Sequence, residues 1–275
     1  MAFLARLGGR LSETYVFRVV KADTESQAGN YAGGLAFTAF VSMFPLMLGL
    51  LAIVGFAVSD PHARAQFETA LLSFFPRDAS RGLHDALSGI HRFSGVFGII
   101  GLVGFVWTGS SLFTGMEWTL GRMTGVGQRD FLRQRAMALV MTVVFVVVVV
   151  LVVGVNSALA LAGGLPVLGP ALGFAVWTAF MLVVYRAVPE RTYRLIQLLR
   201  GAVLAGALME LLTLIWPLYT RLVHGFNTYG AIFALFFVLA TWLYFWAQFT
   251  LLGAVVNRMR AGEPSVPGLI ARPRR

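Results

Sequence analysis

The chain has 275 residues, of which 58% are hydrophobic and only 12% charged, against about 45–50% and 25% in a soluble globular domain. That imbalance excludes a soluble domain and predicts an all-α, polytopic membrane protein. The net charge of +10 suits nucleic acid in principle, but the cations gather at the ends of apolar stretches, so topology explains them and no nucleic-acid partner is expected. With no cysteine, a disulfide framework and a thiolate metal site are both excluded.

Residues 1–30 precede the first apolar run. Leu4, Leu7 and Leu11 recur at helical spacing while Arg6 and Arg10 occupy another face, the pattern of a cytoplasmic helix lying in the membrane interface. Six stretches then reach the roughly 20 residues that cross about 30 Å of hydrocarbon. They are Tyr31 to Val58, Ser94 to Met116, Ala136 to Ala162, Val167 to Val188, Leu199 to Val223 and Tyr229 to Val256. The first is longer than a signal-peptide core and ends in no small-residue cleavage site, so it is expected to remain. Pro45, near its middle, leaves the carbonyl of Val41 without its helical donor, which makes it a candidate hinge, with Ser42 placed to repair the local geometry. A static kink is the alternative.

The connection 59–93 is too long for a plain turn. Phe67, Ala70, Leu71 and Phe74, and after Pro76 the set Leu83, Ala86, Leu87 and Ile90, predict a hairpin of two amphipathic helices on the periplasmic face. His84 and His91 share a face of its second helix, but the spacing does not suit zinc and no metal site is expected. Residues 1–260 form a single membrane domain. The tail 261–275, rich in Pro and Arg, is expected to be a disordered cytoplasmic end.

Cations mark alternate ends of the stretches. Arg18 and Lys21 precede the first, Arg122, Arg129, Arg133 and Arg135 separate the second from the third, Arg186 and Arg200 flank the fourth connection, and Arg258 and Arg260 follow the sixth. The opposite side carries fewer, largely matched by Asp60, Glu68, Asp78 and Asp85. Both termini are therefore expected in the cytoplasm, with membrane lipids, and anionic headgroups at that face, as partners.

"GALMELLTLIW" places one carboxylate, Glu210, in an otherwise apolar run. It lies ten residues beyond Arg200, about 15 Å along a helix and near mid-membrane. An ionised carboxylate there costs roughly 2.5 kcal/mol or more, so Glu210 needs a partner, a cavity or a proton. Two readings stand side by side: a structural hydrogen bond to a neighbouring helix, or a proton-responsive, substrate-contacting group. Ser110, Ser111, Thr114 and Glu117 lie in the inner half of the second stretch, Gln248 in the inner half of the sixth, and Arg186 ends the fourth on the same side. With Glu210 they form a candidate substrate pathway, in which Glu117 and Arg186 fall at a depth that permits pairing. For the hydroxyls the alternative is helix packing. Ala202 and Gly206 permit close helix approach. No acid/base cluster, metal-ligand spacing or P-loop appears, so no catalytic residue, cofactor or enzyme activity is expected.

"AGGLAFTAFVSMFPLMLGLLAI", Trp107 and Phe113, "YRAVP", "RGAVLAGALMELL", "YGAIFALFFVLATWLY" and "LLGAVVN" together resemble the YihY/BrkB family of bacterial inner-membrane proteins, formerly assigned as ribonuclease BN. The likeness runs from about residue 20 to about residue 260. It implies six helices in the inner membrane, envelope phenotypes including serum resistance, and a suggested role in moving lipids. Val255 stands where many relatives carry a glutamate in a "GAE" motif, so a shared acid-dependent mechanism either differs here or rests on Glu210 alone. The expected function is a transporter or flippase of a lipid or other amphiphilic envelope component, with self-association left open. The alternative is a non-transporting scaffold whose outer hairpin docks a partner.

Overall fold

The computed structural model describes residues 15–57, 94–161, 168–190, 193–223 and 231–261. Among them seven helices follow one another: α1 (Tyr15–Glu25), α2 (Ala28–Ala57), α3 (Ser94–Thr124), α4 (Phe131–Leu161), α5 (Leu168–Ala187), α6 (Leu195–Val223) and α7 (Ala231–Arg260). Four of these, α4 to α7, contain windows long and apolar enough to cross a membrane. The first two predicted stretches fall on α2 and α3, of 30 and 31 residues. The expected Leu4–Leu11 helix, the 59–93 hairpin and the tail from residue 262 lie outside the described residues.

Several helices outrun the apolar stretches that announce them. α3 continues from Met116 to Thr124, and α4 begins at Phe131 rather than Ala136. Apolar composition marks only the hydrocarbon, whereas backbone hydrogen bonding persists through the headgroup layers of a bilayer about 40–45 Å thick. α1 is separate from α2. A turn at Ser26–Gln27 divides them, with Gln27 in the left-handed region at φ 55°.

α7 is the hub of the bundle, packing against α1, α2, α3 and α6. The other principal contacts join α2 to α3, α5 to α6, α3 to α4 and α4 to α5. Small residues set these distances. Gly201 on α6 and Gly253 on α7 meet backbone to backbone, so a methyl group on either would collide with the other's carbonyl. At Gly206, as the sequence predicts, a methyl group would lie 2.8 Å from the backbone nitrogen of Thr178 on α5. Without a hydrophobic drive between helices in lipid, such close approach is what dispersion needs.

Large apolar side chains are exposed all along the bundle, among them Val140, Val143 and Leu151 on α4, Leu211, Leu214 and Ile215 on α6, and Phe237 on α7. In water such a surface would be an aggregation patch; for helices solvated by acyl chains it is the expected exterior.

Helix α2 continues through Pro45. Ser42 does not mend the local backbone as expected: its hydroxyl donates across the bundle to the carbonyl of Thr108 on α3 at 3.3 Å. An interhelical acceptor was within reach, and only the α2/α3 packing provides it.

Candidate functional site

Polar side chains gather where α3, α5 and α7 end and α6 begins. Glu117 is the most deeply buried acid among the described residues, 1% exposed. Its partner is Arg129, from the turn between α3 and α4, with Nη1 2.9 Å from Oε1; the backbone N–H of Arg129 also approaches that oxygen at 3.4 Å. The depth of Arg186 permits a pairing with Glu117, but the cation that meets this carboxylate is Arg129; Arg186 is exposed on the last turn of α5. The turn folds Arg129 back over the end of α3.

The same guanidinium caps a second helix. It donates to the carbonyls of Ala187 and Pro189 at 3.1 and 2.7 Å, and to that of Val188. These acceptors close α5, where the last turn leaves carbonyls without helical donors and the helix dipole favours a cation. One side chain thus neutralises Glu117 and caps α5. Nearby, Arg258 at the end of α7 donates from Nη1 to the carbonyl of Met123 on α3 at 2.9 Å. Asn257 accepts from the Gly201 N–H at 2.8 Å, and the Tyr185 hydroxyl donates to the Thr250 carbonyl at 2.7 Å. A cavity of about 10 Å³ lies between Thr124, Tyr185, Tyr193 and Asn257. That is room for about one water molecule, and Asn257 Nδ2 is buried there without a protein partner among the described residues.

The other predicted pathway residues face different neighbours. Gln248 on α7 donates to Asp23 on α1 at 2.8 Å, holding the N-terminal helix against the hub. Asp23 Oδ1 and Gln248 Oε1 are buried without hydrogen bonds among the described residues. Desolvation by burial raises the Asp23 pKa above the ordinary carboxylate value, with the Gln248 hydrogen bond opposing it. Ser110 and Ser111 donate to the Trp107 carbonyl, each at 2.9 Å, and Ser110 also accepts from Arg135 on α4 at 2.8 Å. Thr114 Oγ1 is buried without a partner among the described residues.

Glu210 stands apart from all of these. It is half-buried on the edge of α6 that faces α5, and its carboxyl fills the notch left by the missing side chain of Gly173. Among the described residues no hydrogen bond or ion pair reaches it. The next positions along the helix, Leu211, Leu214 and Ile215, are exposed.

Sequence reading missed Arg129, Asp23, Asn257 and Arg135 as partners. For Arg129 a signal exists: a glutamate late in one span, followed by an arginine in the next short turn, can close on itself. Nothing local marks Asp23 or Asn257, whose partners are more than fifty residues distant.

The architecture defines a multi-pass helical membrane protein, tied at one end by a buried charged clamp. The profile of the family described as "Virulence factor BrkB" matches residues 19–268, and the chain belongs to that family. It is similar to the UPF0761 membrane protein Mpe_A1422 of Methylibium petroleiphilum (strain ATCC BAA-1232 / LMG 22953 / PM1), with 26% identity over 266 residues. That alignment covers 89% of this chain and 63% of the relative, so the chain spans less than two thirds of the relative's length. No solved structure matches the chain.

Proposed function

We propose that this chain is a six-span, non-enzymatic protein of the bacterial inner membrane, with both termini in the cytoplasm, that moves a lipid or other amphiphilic envelope component between leaflets. The observation that carries the reading is the placement of Glu210. Packing alone favours a paired or excluded carboxyl at this depth, yet Glu210 sits half-exposed beside a glycine notch with no protein partner among the described residues. A polar or cationic headgroup travelling along the α5/α6 edge can use it; a purely structural residue would be expected to bond a neighbouring helix. Anionic headgroups at the cytoplasmic face complete the set of partners, drawn by the arginines at the helix ends.

Lipid scrambling in proteoliposomes tests this. Glu210→Gln keeps the shape and removes the charge, and it is expected to lower the rate about ten-fold while leaving yield and elution volume unchanged. Equal rates for the two forms would remove Glu210 from the mechanism.

A non-transporting scaffold is the second reading. The observation favouring it is the clamped end of the bundle, where the cavity beside Asn257 is far too small for an acyl chain. Scrambling by the unmodified protein no faster than in protein-free vesicles would favour the scaffold.

A further inference from the structure

Arg135 lies inside the apolar window Phe131–Val148 of α4, one turn from the helix start. Its guanidinium is within 5.5 Å of the Trp107 ring centre and 5.4 Å of the Phe131 ring centre, distances at which a cation is attracted by the ring faces. Ser110, itself buried, spends its own proton on the Trp107 carbonyl and so offers a lone pair, which Nη1 of Arg135 takes at 2.8 Å. The guanidinium is thereby fixed in place, with one of its five donors used among the described residues. Among the described residues no carboxylate pairs with it. The two rings that flank it are each 67% exposed, and Leu139 and Val143, one and two turns deeper on α4, are exposed as well. A fixed cation whose other donors meet no described residue, beside aromatic rings that open onto a lipid-solvated surface, suits an anion whose tail is apolar.

We infer that Arg135, Ser110, Trp107 and Phe131 form a binding site for the phosphate of an anionic phospholipid on the exposed side of the α3/α4 pair. The guanidinium edge presents parallel N–H groups to phosphate oxygens, the rings cover the headgroup, and the acyl chains run along Leu139 and Val143. In the orientation proposed above the site faces the cytoplasmic leaflet. It uses other helices than Glu210 and requires no movement of the bound lipid, so it stands or falls apart from the transport reading.

The test is retention of lipid, read by native mass spectrometry after release of the full chain from nanodiscs of phosphatidylcholine mixed with phosphatidylglycerol. The unmodified protein is expected to retain phosphatidylglycerol in preference to phosphatidylcholine. Arg135→Gln is expected to lower that retention about five- to ten-fold, and Trp107→Leu, at an exposed position that spares the core, about two- to five-fold. Arg133→Gln, on the opposite side of α4, should retain lipid as the unmodified chain does. Soluble glycerol phosphate should fail to displace the lipid. Undiminished retention in Arg135→Gln or Trp107→Leu overturns the site, as does equal retention of phosphatidylcholine. Displacement by glycerol phosphate would make it a site for free phosphate instead, which also overturns the proposal.

Discussion

Glu117 and Glu210 are both carboxylates on long apolar helices, and the structure treats them in opposite ways. Glu117 is enclosed, with Arg129 2.9 Å away and the capped end of α5 behind it. Glu210 is left at an edge, with a glycine notch beneath its carboxyl and exposed leucines beyond it. The contrast separates two uses of charge in a membrane bundle. A carboxylate met by a cation that also caps a second helix fixes how three segments sit together. One that finds no partner among the described residues remains able to meet something that is not the protein.

Substitutions put that contrast to the test. The largest effect is expected at the clamp: Arg129→Met leaves Glu117 buried without its cation and strips the cap from α5, at about 3 kcal/mol or more. Heating in detergent should show a clearly lower Tm, and the double variant Glu117→Met with Arg129→Met should recover part of the loss. No recovery would mean that capping, rather than the charge pair, holds the site. Next comes the α6/α7 crossing. Gly201→Ala drives a methyl group into Gly253 and Asn257 and is expected to cost about 1–3 kcal/mol, read in the same melt.

A smaller, pH-dependent effect is expected where α1 docks. Because burial raises the Asp23 pKa, the folded state binds that proton more tightly than the unfolded chain. Its contribution is therefore present at low pH and is lost as pH rises from the ordinary carboxylate range through the raised value. Asp23→Asn supplies an N–H for Gln248 Oε1 and should flatten that part of the Tm profile; an unchanged slope would place the dependence elsewhere. The smallest effect on stability is expected at Glu210. With no hydrogen bond to lose among the described residues, Glu210→Gln should shift the folding free energy by no more than about 0.5 kcal/mol. A large fall in Tm would show that its carboxyl is structural after all, and the contrast with Glu117 would dissolve.

Much of the helical layout was legible in advance because hydrocarbon imposes one simple demand, a run of apolar residues long enough to satisfy its own backbone. The predicted stretches from Ala136 to Val256 correspond to α4 through α7 with shifted ends, and the glycine at 206 marks a close crossing. Of the candidate site the sequence offered single polar residues, without their partners Arg129, Asp23 and Arg135. Ser110 turned to α4, Gln248 to α1 and Glu117 to the α3/α4 turn, although the sequence offered a single pathway.

What the sequence determined alone is therefore the class of molecule, its helical segments and the chemical oddity of Glu210, since each follows from the solvent around a single helix. Hydroxyls such as those of Ser111 and Thr124 bond carbonyls of their own helix, but the partners of Gln248, Asn257 and Arg135 follow from how the helices pack. The acceptor or donor that meets Gln248 or Asn257 lies on another helix, at a separation no local pattern encodes. Whether a carboxyl is sealed by Arg129 or left beside Gly173 depends on how those helices cross.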